Sequence, residues 1–243
     1  MGKSIIGSEI AEKISIEING IKIQAEPGTN LLQAALDSGI YVPYLCYYPG
    51  MKPFGACRAC VVEVEGVPGP SIQASCTIPV GNDMIVRTNT DKVNELRRGV
   101  MDLLISEHPH GCLNCHRVEL CGPADICLRH VAVNDRCVTC PKNDRCELKD
   151  TVRFLDMDLD TTLTYNNRHL PLAVDDPYWE MDLNLCIVCG RCVRACDEIR
   201  GDKALTFTNR AGKSLIGTSH GTSLLESGCE FCGACIDVCP TGA

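Results

Sequence analysis

The first information in this chain is what it lacks. No apolar run reaches the roughly 18 residues that a membrane-spanning helix needs, so no span is expected. The start, Met1-Gly2-Lys3-Ser4-Ile5-Ile6, has neither a long apolar stretch nor a small-residue cleavage site, so it does not read as a secretory leader. Ile6 also breaks the myristoylation pattern. Aromatics are scarce, with 4 Phe, 1 Trp and 6 Tyr, which leaves little for an aromatic core or a stacking platform. Basic residues are outnumbered: 23 Lys and Arg against 31 Asp and Glu leave a net charge of −8. Such a chain repels phosphate backbones, so no nucleic-acid partner is expected. No Gly-x-Gly-x-x-Gly follows a strand-like run, which argues against a dinucleotide fold. Gly212-Lys213-Ser214 hints at a phosphate loop, but Phe207 stands where its first glycine belongs. Asp156-x-Asp158-x-Asp160 resembles a calcium loop, but Thr161 and Asn167 replace the glycine and glutamate it requires. No nucleophile–base pattern is present.

What the chain has in excess is cysteine, 19 of 243 residues. With no leader, a reducing cytoplasm is expected, where disulfides are rare, and the thiols read as metal ligands. They fall into four groups with none left over. These are Cys46, Cys57, Cys60 and Cys76; Cys112, Cys115, Cys121, Cys127, Cys137, Cys140 and Cys146; Cys186, Cys189, Cys192 and Cys196; and Cys229, Cys232, Cys235 and Cys239. Two spacings repeat. Cys112-x2-Cys115-x5-Cys121 recurs 25 residues later as Cys137-x2-Cys140-x5-Cys146, and Cys-x2-Cys-x2-Cys-x3-Cys at 186–196 recurs at 229–239.

Near the N-terminus, Ile14, Ile16 and Ile18 alternate with polar residues, as do Ile21 and Ile23. Asn19-Gly20 between the two runs predicts a hairpin. Thr29 or Asn30 can cap a helix with an apolar face of Leu31, Leu32, Ala35 and Leu36, stopped at Gly39. The cysteine loop follows, with Gly50, Pro53 and Gly55 in the long gap before Cys57. This hairpin–helix–loop order, with Phe54-Gly55-Ala56-Cys57-Arg58-Ala59-Cys60, resembles the [2Fe–2S] ferredoxin domain of the NuoG-type subunit of respiratory NADH dehydrogenase. It is equally similar to the start of the related HoxU subunit of NAD-reducing hydrogenases. The resemblance implies a ubiquitin-like fold with one [2Fe–2S] cluster on Cys46, Cys57, Cys60 and Cys76. Zinc is the alternative for four thiolates.

The last two groups are the bacterial ferredoxin run written twice, ending Cys239-Pro240. In that motif the fourth cysteine of each run ligates the other cluster. Cys186, Cys189, Cys192 and Cys239 are therefore expected to hold one [4Fe–4S], and Cys196, Cys229, Cys232 and Cys235 the second. Asp197 replaces the proline usual after Cys196 without removing a ligand. The residues between the runs predict a short hairpin or loop.

A helix is expected over Asp91–Glu107, capped by Thr90 or Asp91, with an apolar face of Val93, Leu96, Val100, Leu103 and Leu104. Pro109 ends it. The stretch His108-x3-Cys112-x2-Cys115-x5-Cys121 resembles the NuoG-type motif for a [4Fe–4S] cluster with one histidine ligand, but Cys127 and a second copy follow. Two divisions stand. Either His108 joins Cys112, Cys115 and Cys121, leaving Cys127 with Cys137, Cys140 and Cys146, or the first copy is an insertion with its own four cysteines. In the second division, His108 joins Cys137, Cys140 and Cys146, and Cys112, Cys115, Cys121 and Cys127 hold zinc or another [4Fe–4S]. The insertion matches both flanks of the family motif, His108-Pro109-x-Gly111 and Cys146-Glu-Leu-Lys149, and is preferred. A helix-terminal histidine meeting the helix dipole is the plain alternative for His108. His110, His116 and His130 are secondary candidates, and His169 and His220 read as surface residues.

The fold expected is α+β in three domains: a [2Fe–2S] domain at 1–90, a His/Cys region at 91–175, and a two-cluster ferredoxin-like domain at 176–243. The resemblance implies an electron-transfer subunit with one [2Fe–2S], three [4Fe–4S], and a fourth [4Fe–4S] or a zinc ion. It implies partners too: a flavoprotein that oxidises NAD(P)H, a thioredoxin-like [2Fe–2S] subunit, and a hydrogenase or formate dehydrogenase-type catalytic subunit. The complex could be a bifurcating one. With Cys239 four residues from the end, a large molybdopterin-type domain is not expected in this sequence. A freestanding polyferredoxin and a zinc-rich structural protein are the rival readings.

Overall fold

Asn19 and Gly20 both take positive φ, 51° and 82°, the backbone that a tight two-residue hairpin requires. They join β1 (Ile14–Ile18) to β2 (Ile21–Ala25), paired antiparallel from Ile14↔Ala25 to Ile18↔Ile21. The structure, a computed structural model, describes residues 13–66, 68–69, 71–127, 136–158, 163–219 and 221–243. The readings made at the first six residues, His130, Asp160, Thr161 and His220 lie outside the described residues.

β3 (Val61–Glu65), β4 (Ile72–Ala74) and β5 (Ile85–Arg87) complete a five-stranded sheet in the order β2-β1-β5-β3-β4, with β1 and β5 parallel. The Asn19 side chain holds that parallel pair. Its Nδ2 donates to Thr88 Oγ1 at 2.7 Å, and the Thr88 N–H donates to its Oδ1 at 2.9 Å. Helix α1 (Leu31–Asp37) starts where Asn30 Oδ1 accepts from the Gln33 N–H at 2.9 Å, and it buries Leu31, Leu32, Ala34 and Ala35. With Ile16, Ile18, Val62, Val64 and Val86 these residues form the core of the first compact unit.

The chain divides into two such units, Met1–Val42 with Cys60–Val93, and Pro43–Ala59 with Asn94–Ala243. The loop 43–59 thus clusters with the C-terminal residues, not with the sheet that flanks it in sequence.

The second unit is built on short elements. Helix α2 (Asp91–Ile105) enters it, its Val93 N–H capped by Thr90 Oγ1 at 3.3 Å. It ends two residues earlier than expected, and its buried stripe is Val93, Arg97, Met101 and Ile105. Leu96 and Leu103, expected on the apolar face, are 47% and 65% exposed. The expected register fails because a buried arginine occupies one position of the true stripe. Met101 and Ile105 pack with Leu45, Leu113, Leu148, Val152, Leu155 and Ile187. Leu148 and Val152 lie on α3 (Glu147–Phe154). The first ferredoxin run contains α4 (Arg191–Arg194) and ends in a wide turn at Ala195–Arg200. An antiparallel hairpin follows, β6 (Leu205–Thr208) and β7 (Leu215–Thr218), then the short α5 (Ala234–Asp237). That hairpin is the expected connection between the runs. Gly212-Lys213-Ser214 lies in its turn, with no helix behind it to build a phosphate site. Among the described residues no helix is long and apolar enough to cross a membrane.

Ile18 and Ile21 are cross-strand partners with opposite burial, 0% and 57% exposed. Ile18→Ala is expected to cost about 2–5 kcal/mol and Ile21→Ala less than about 0.5 kcal/mol. Urea unfolding of both variants checks this, and equal losses would contradict the packing described.

Candidate metal centres

Three cavities of the second unit are lined by the cysteines. One has a volume of about 70 Å³, and Cys186, Cys189, Cys192 and Cys239 all face it, with Cys235 beside them. Cys239 is the fourth cysteine of the other run, so the crossed arrangement brings it to this set. Burial, and then repulsion from neighbouring thiols, pushes Cys186, Cys189 and Cys192 up. Cys189 rises to about 12, and Cys192 well above the usual thiol range under the further influence of Cys189, Cys186 and Cys239. Two thiols of the complementary set shift in the same direction. Burial raises Cys229, with Cys196 and Cys232 as charged neighbours, and raises Cys235 to about 11, with Cys229 and Cys232 beside it. Thiols that disfavour one another's ionisation this strongly need a positive centre to become ligands together.

The second cavity, about 300 Å³, is lined by His108, Cys137, Cys140 and Cys146. Cys112, Cys115, Cys121 and Cys127 line a third, separate cavity of about 20 Å³. His108 is buried, and burial lowers its pKa to about 4, so the imidazole is neutral near pH 7, as a metal ligand must be. Its Nδ1 lies 2.7 Å from the Pro109 carbonyl oxygen. With Nδ1–H donating there, Nε2 is left as the ligand atom. His110 Nδ1 is engaged by the His108 carbonyl at 3.1 Å, and His116 and His169 are exposed. A Cβ at Gly242 would collide with the Cys140 sulfur, so glycine there leaves the thiol its place.

Cys46 and Cys57, both in the second unit, exchange backbone donors: each N–H lies 3.4 Å from the other's Sγ. The Cys57 thiol, together with the Cys57 and Ala56 amides, lowers the Cys46 pKa to about 6, and Arg194 adds to this. In the first unit Cys60 and Cys76 are both buried. Ser75 Oγ and the Ser75 N–H both donate to the Cys60 carbonyl, at 2.7 and 3.1 Å. Soft thiolates in sets of four, and one set of three with a neutral imidazole, fit iron–sulfur clusters.

The residues that hold these loops are not among those the sequence patterns single out. Arg191 is 0% exposed; its Nη1 and Nη2 both lie 2.6 Å from the Glu147 carboxylate, and Nη1 also donates to the Val238 carbonyl at 3.2 Å. The Tyr44 and Tyr48 rings lie against its guanidinium, 5.7 and 5.6 Å from their centroids. Arg168 donates to the Cys186 carbonyl at 2.7 Å and to Glu107 at 2.8 Å. Arg194 donates to the Cys46 carbonyl at 2.8 Å and to the Lys52 carbonyl at 2.6 Å. Each arginine grips backbone at or next to a ligand cysteine. A signal for Arg191 and Arg194 exists in Cys189-Gly-Arg-Cys192-Val-Arg-Ala-Cys196, since arginines inside a buried cysteine run cannot all reach water; Arg168 has none. Gly190 has φ of 72°, and a Cβ on it would stand 2.6 Å from the Phe207 ring, so the turn into α4 needs glycine twice over.

Glu147→Ala strands the buried Arg191 charge. The expected cost is about 2–3 kcal/mol, below the value for a fully buried pair because Glu147 is about one-third exposed. Glu147→Gln is expected to recover part of it. Denaturant titrations of the two variants test this, and a neutral Glu147→Ala would show that the pair holds nothing.

Residues 11–91 match the family described as 2Fe-2S iron-sulfur cluster binding domain. Residues 176–243 match the ferredoxin-like domain of NADH-quinone oxidoreductase subunit 3. A G-type chain of the NADH-quinone oxidoreductase of Rhizobium meliloti is 32% identical over 238 residues, which cover 95% of this chain and 24% of that protein. The NADPH-Fe(3+) oxidoreductase subunit alpha of Geobacter sulfurreducens is 31% identical over 94% of this chain and 24% of its own length. The 78 kDa subunit of the Neurospora crassa mitochondrial NADH-ubiquinone oxidoreductase is 32% identical over 95% and 27%. The chain thus spans about a quarter of the length of these relatives. A chain in a crystal structure of an NAD+-reducing [NiFe]-hydrogenase superposes with a TM-score of 0.74 at 26% identity, covering 95% of this chain and 86% of that one. Residues 11–91 and 176–243 thus carry, in this order, the 2Fe-2S and ferredoxin-like domains found in the NuoG/HoxU-type iron–sulfur subunits, and the chain is similar to those subunits over nearly its whole length.

Proposed function

We propose that the chain is an electron-transfer subunit that positions a row of iron–sulfur clusters between a flavoprotein oxidising NAD(P)H and a catalytic partner of the hydrogenase or formate dehydrogenase type. A thioredoxin-like [2Fe–2S] subunit would complete the flavoprotein side, and the setting would be cytoplasmic. The observation that carries the reading is the sharing of walls. Glu180 and Thr241 line both the His108 cavity and the Cys186 cavity, and Cys235 of the last set also faces the Cys186 cavity. Thr241 Oγ1 donates to the Leu185 carbonyl at 2.8 Å, which fixes the dividing wall. Sites arranged in series suit conduction, whereas independent structural metal sites have no need to adjoin.

The ligand sets proposed are Cys46, Cys57, Cys60 and Cys76 for [2Fe–2S], on their spacing and the family match over 11–91. Three [4Fe–4S] sets follow: His108 with Cys137, Cys140 and Cys146; Cys186, Cys189 and Cys192 with Cys239; and Cys196 with Cys229, Cys232 and Cys235. Cys112, Cys115, Cys121 and Cys127 form a further metal site. When bound, the clusters supply one-electron chemistry. The chain's part is to exclude water from the inner thiols, to keep His108 neutral, and to place arginine charges near the ligands.

Two measurements test this. Anaerobically purified protein should contain at least about 14 iron atoms with matching sulfide. It should not oxidise NADH alone but should accept electrons from a co-purifying flavoprotein. A colourless, sulfide-free zinc protein would end the reading, and a protein that never co-purifies with a flavoprotein would favour a freestanding carrier. His108→Cys adds a negative charge at its centre and should lower that centre's midpoint in a redox titration followed by EPR. An unchanged midpoint would remove His108 from the ligand set.

A further inference from the structure

We infer that Cys112, Cys115, Cys121 and Cys127 hold a redox-active [4Fe–4S] cluster in contact with the His108 site, and not a structural zinc ion. The inference rests on the electron-transfer reading and extends it by one centre. The four cysteines enclose their own cavity, walled by Gly111, Val118, Arg136 and Val138, and no other cysteine or histidine lines it among the described residues.

Room is the first argument. Zinc draws four sulfurs to about 2.3 Å from one point, which leaves no space for a water-sized sphere among them. This cavity keeps about 20 Å³ of such space. A cubane, with iron at alternate corners and sulfide between, holds its four thiolates further apart. The spacing is the second argument. Cys112-x2-Cys115-x5-Cys121 repeats Cys137-x2-Cys140-x5-Cys146 position for position. Both copies fold alike locally, with 3-10 turns at Val118–Leu120 and Asn143–Arg145 leading directly into the third cysteine of each. Equal ligand geometry favours an equal occupant.

Position is the third argument. Arg136 lines both the Cys112 cavity and the His108 cavity, and Val138 in the wall of the first directly follows Cys137 in the wall of the second. The two sites therefore adjoin in the same way as the other neighbours in the row. At its far side the loop meets solvent, since Leu120 and Ile126, which directly precede Cys121 and Cys127, are 79% and 85% exposed. The fourth centre thus extends the row outward. Its reduction takes one electron, from the adjoining centre or from dithionite, and converts one ferric equivalent to ferrous without breaking a bond.

The test uses the full chain, purified anaerobically, with iron, sulfide and zinc counted and dithionite-reduced EPR spins integrated. The expected result is about 18 iron and no zinc. Cys115→Ala should then lose about four iron and one spin, and the signal of the His108 centre should lose its broadening by a paramagnetic neighbour. About 14 iron with one zinc, or about 14 iron with neither, would overturn the inference while leaving the electron-transfer reading intact. A sulfide-free protein would overturn both. The count on the unaltered chain decides even if the variant fails to fold.

Discussion

Burying Arg191 is the constraint around which the second unit is organised. A guanidinium cannot lose its charge, so its removal from water has to be offset by fixed partners. Here the partners come from three separate segments: Glu147, which follows Cys146; Val238, which precedes Cys239; and the two tyrosine rings of the loop that contains Cys46. Arg191 itself lies between Cys189 and Cys192. One side chain therefore sets the spacing of loops that serve different ligand sets. Short helices and turns carry almost no stability of their own, with α4 and α5 only four residues each. Fixing them takes specific contacts and the bound groups themselves.

The electrostatics point the same way. The chain is acidic, yet Arg168, Arg191 and Arg194 lie among the cysteines with little or no exposure. Clusters held by four thiolates carry net negative charge, and buried cations next to them lower the cost of placing that charge in a poor dielectric. In the absence of iron, the inner thiols stay protonated because burial and one another's proximity raise their pKa values. A thiol whose pKa is raised in the fold costs nothing below the ordinary thiol range; the unfolded thiol ionises first as the pH climbs, and the folded state is penalised from there up to the shifted value. Cys46 is the exception, lowered by donors from Cys57 and Ala56, so this site is already polarised towards a thiolate.

How much of this is legible in the sequence depends on whether the signal is local. The hairpin is readable because Asn19-Gly20 demands one backbone shape, and the doubled spacing already suggests that Cys239 should meet Cys186, Cys189 and Cys192, with which it lines one cavity. The division of the middle region is half legible: spacing leaves His108 with two possible homes, and the cavity that it lines with Cys137, Cys140 and Cys146 favours the second. The face of α2 is misleading because periodicity counts leucines and not partners, and Arg97 fills a buried position that no apolar pattern reserves. Scarce aromatics also mislead. Tyr44, Tyr48, Phe54, Phe207, Trp179 and Phe231 are few, but they gather around the arginines and the ferredoxin runs, where flat rings cover charge and exclude water.

Ligand type completes the argument, because the sites are not equivalent wires. A set of three thiolates and a neutral imidazole carries one negative charge less than a set of four, so its reduced form is easier to reach. The cavity that His108 lines falls between those of the Cys112 and Cys186 sets, with Arg136 and Thr241 in the shared walls. With clusters bound as proposed, the His108 set would hold the more oxidising centre of the three. The burial that holds His108 neutral would therefore differentiate its site from its neighbours, and the Pro109 carbonyl on Nδ1 fixes the orientation in which the imidazole would present Nε2 to a bound group.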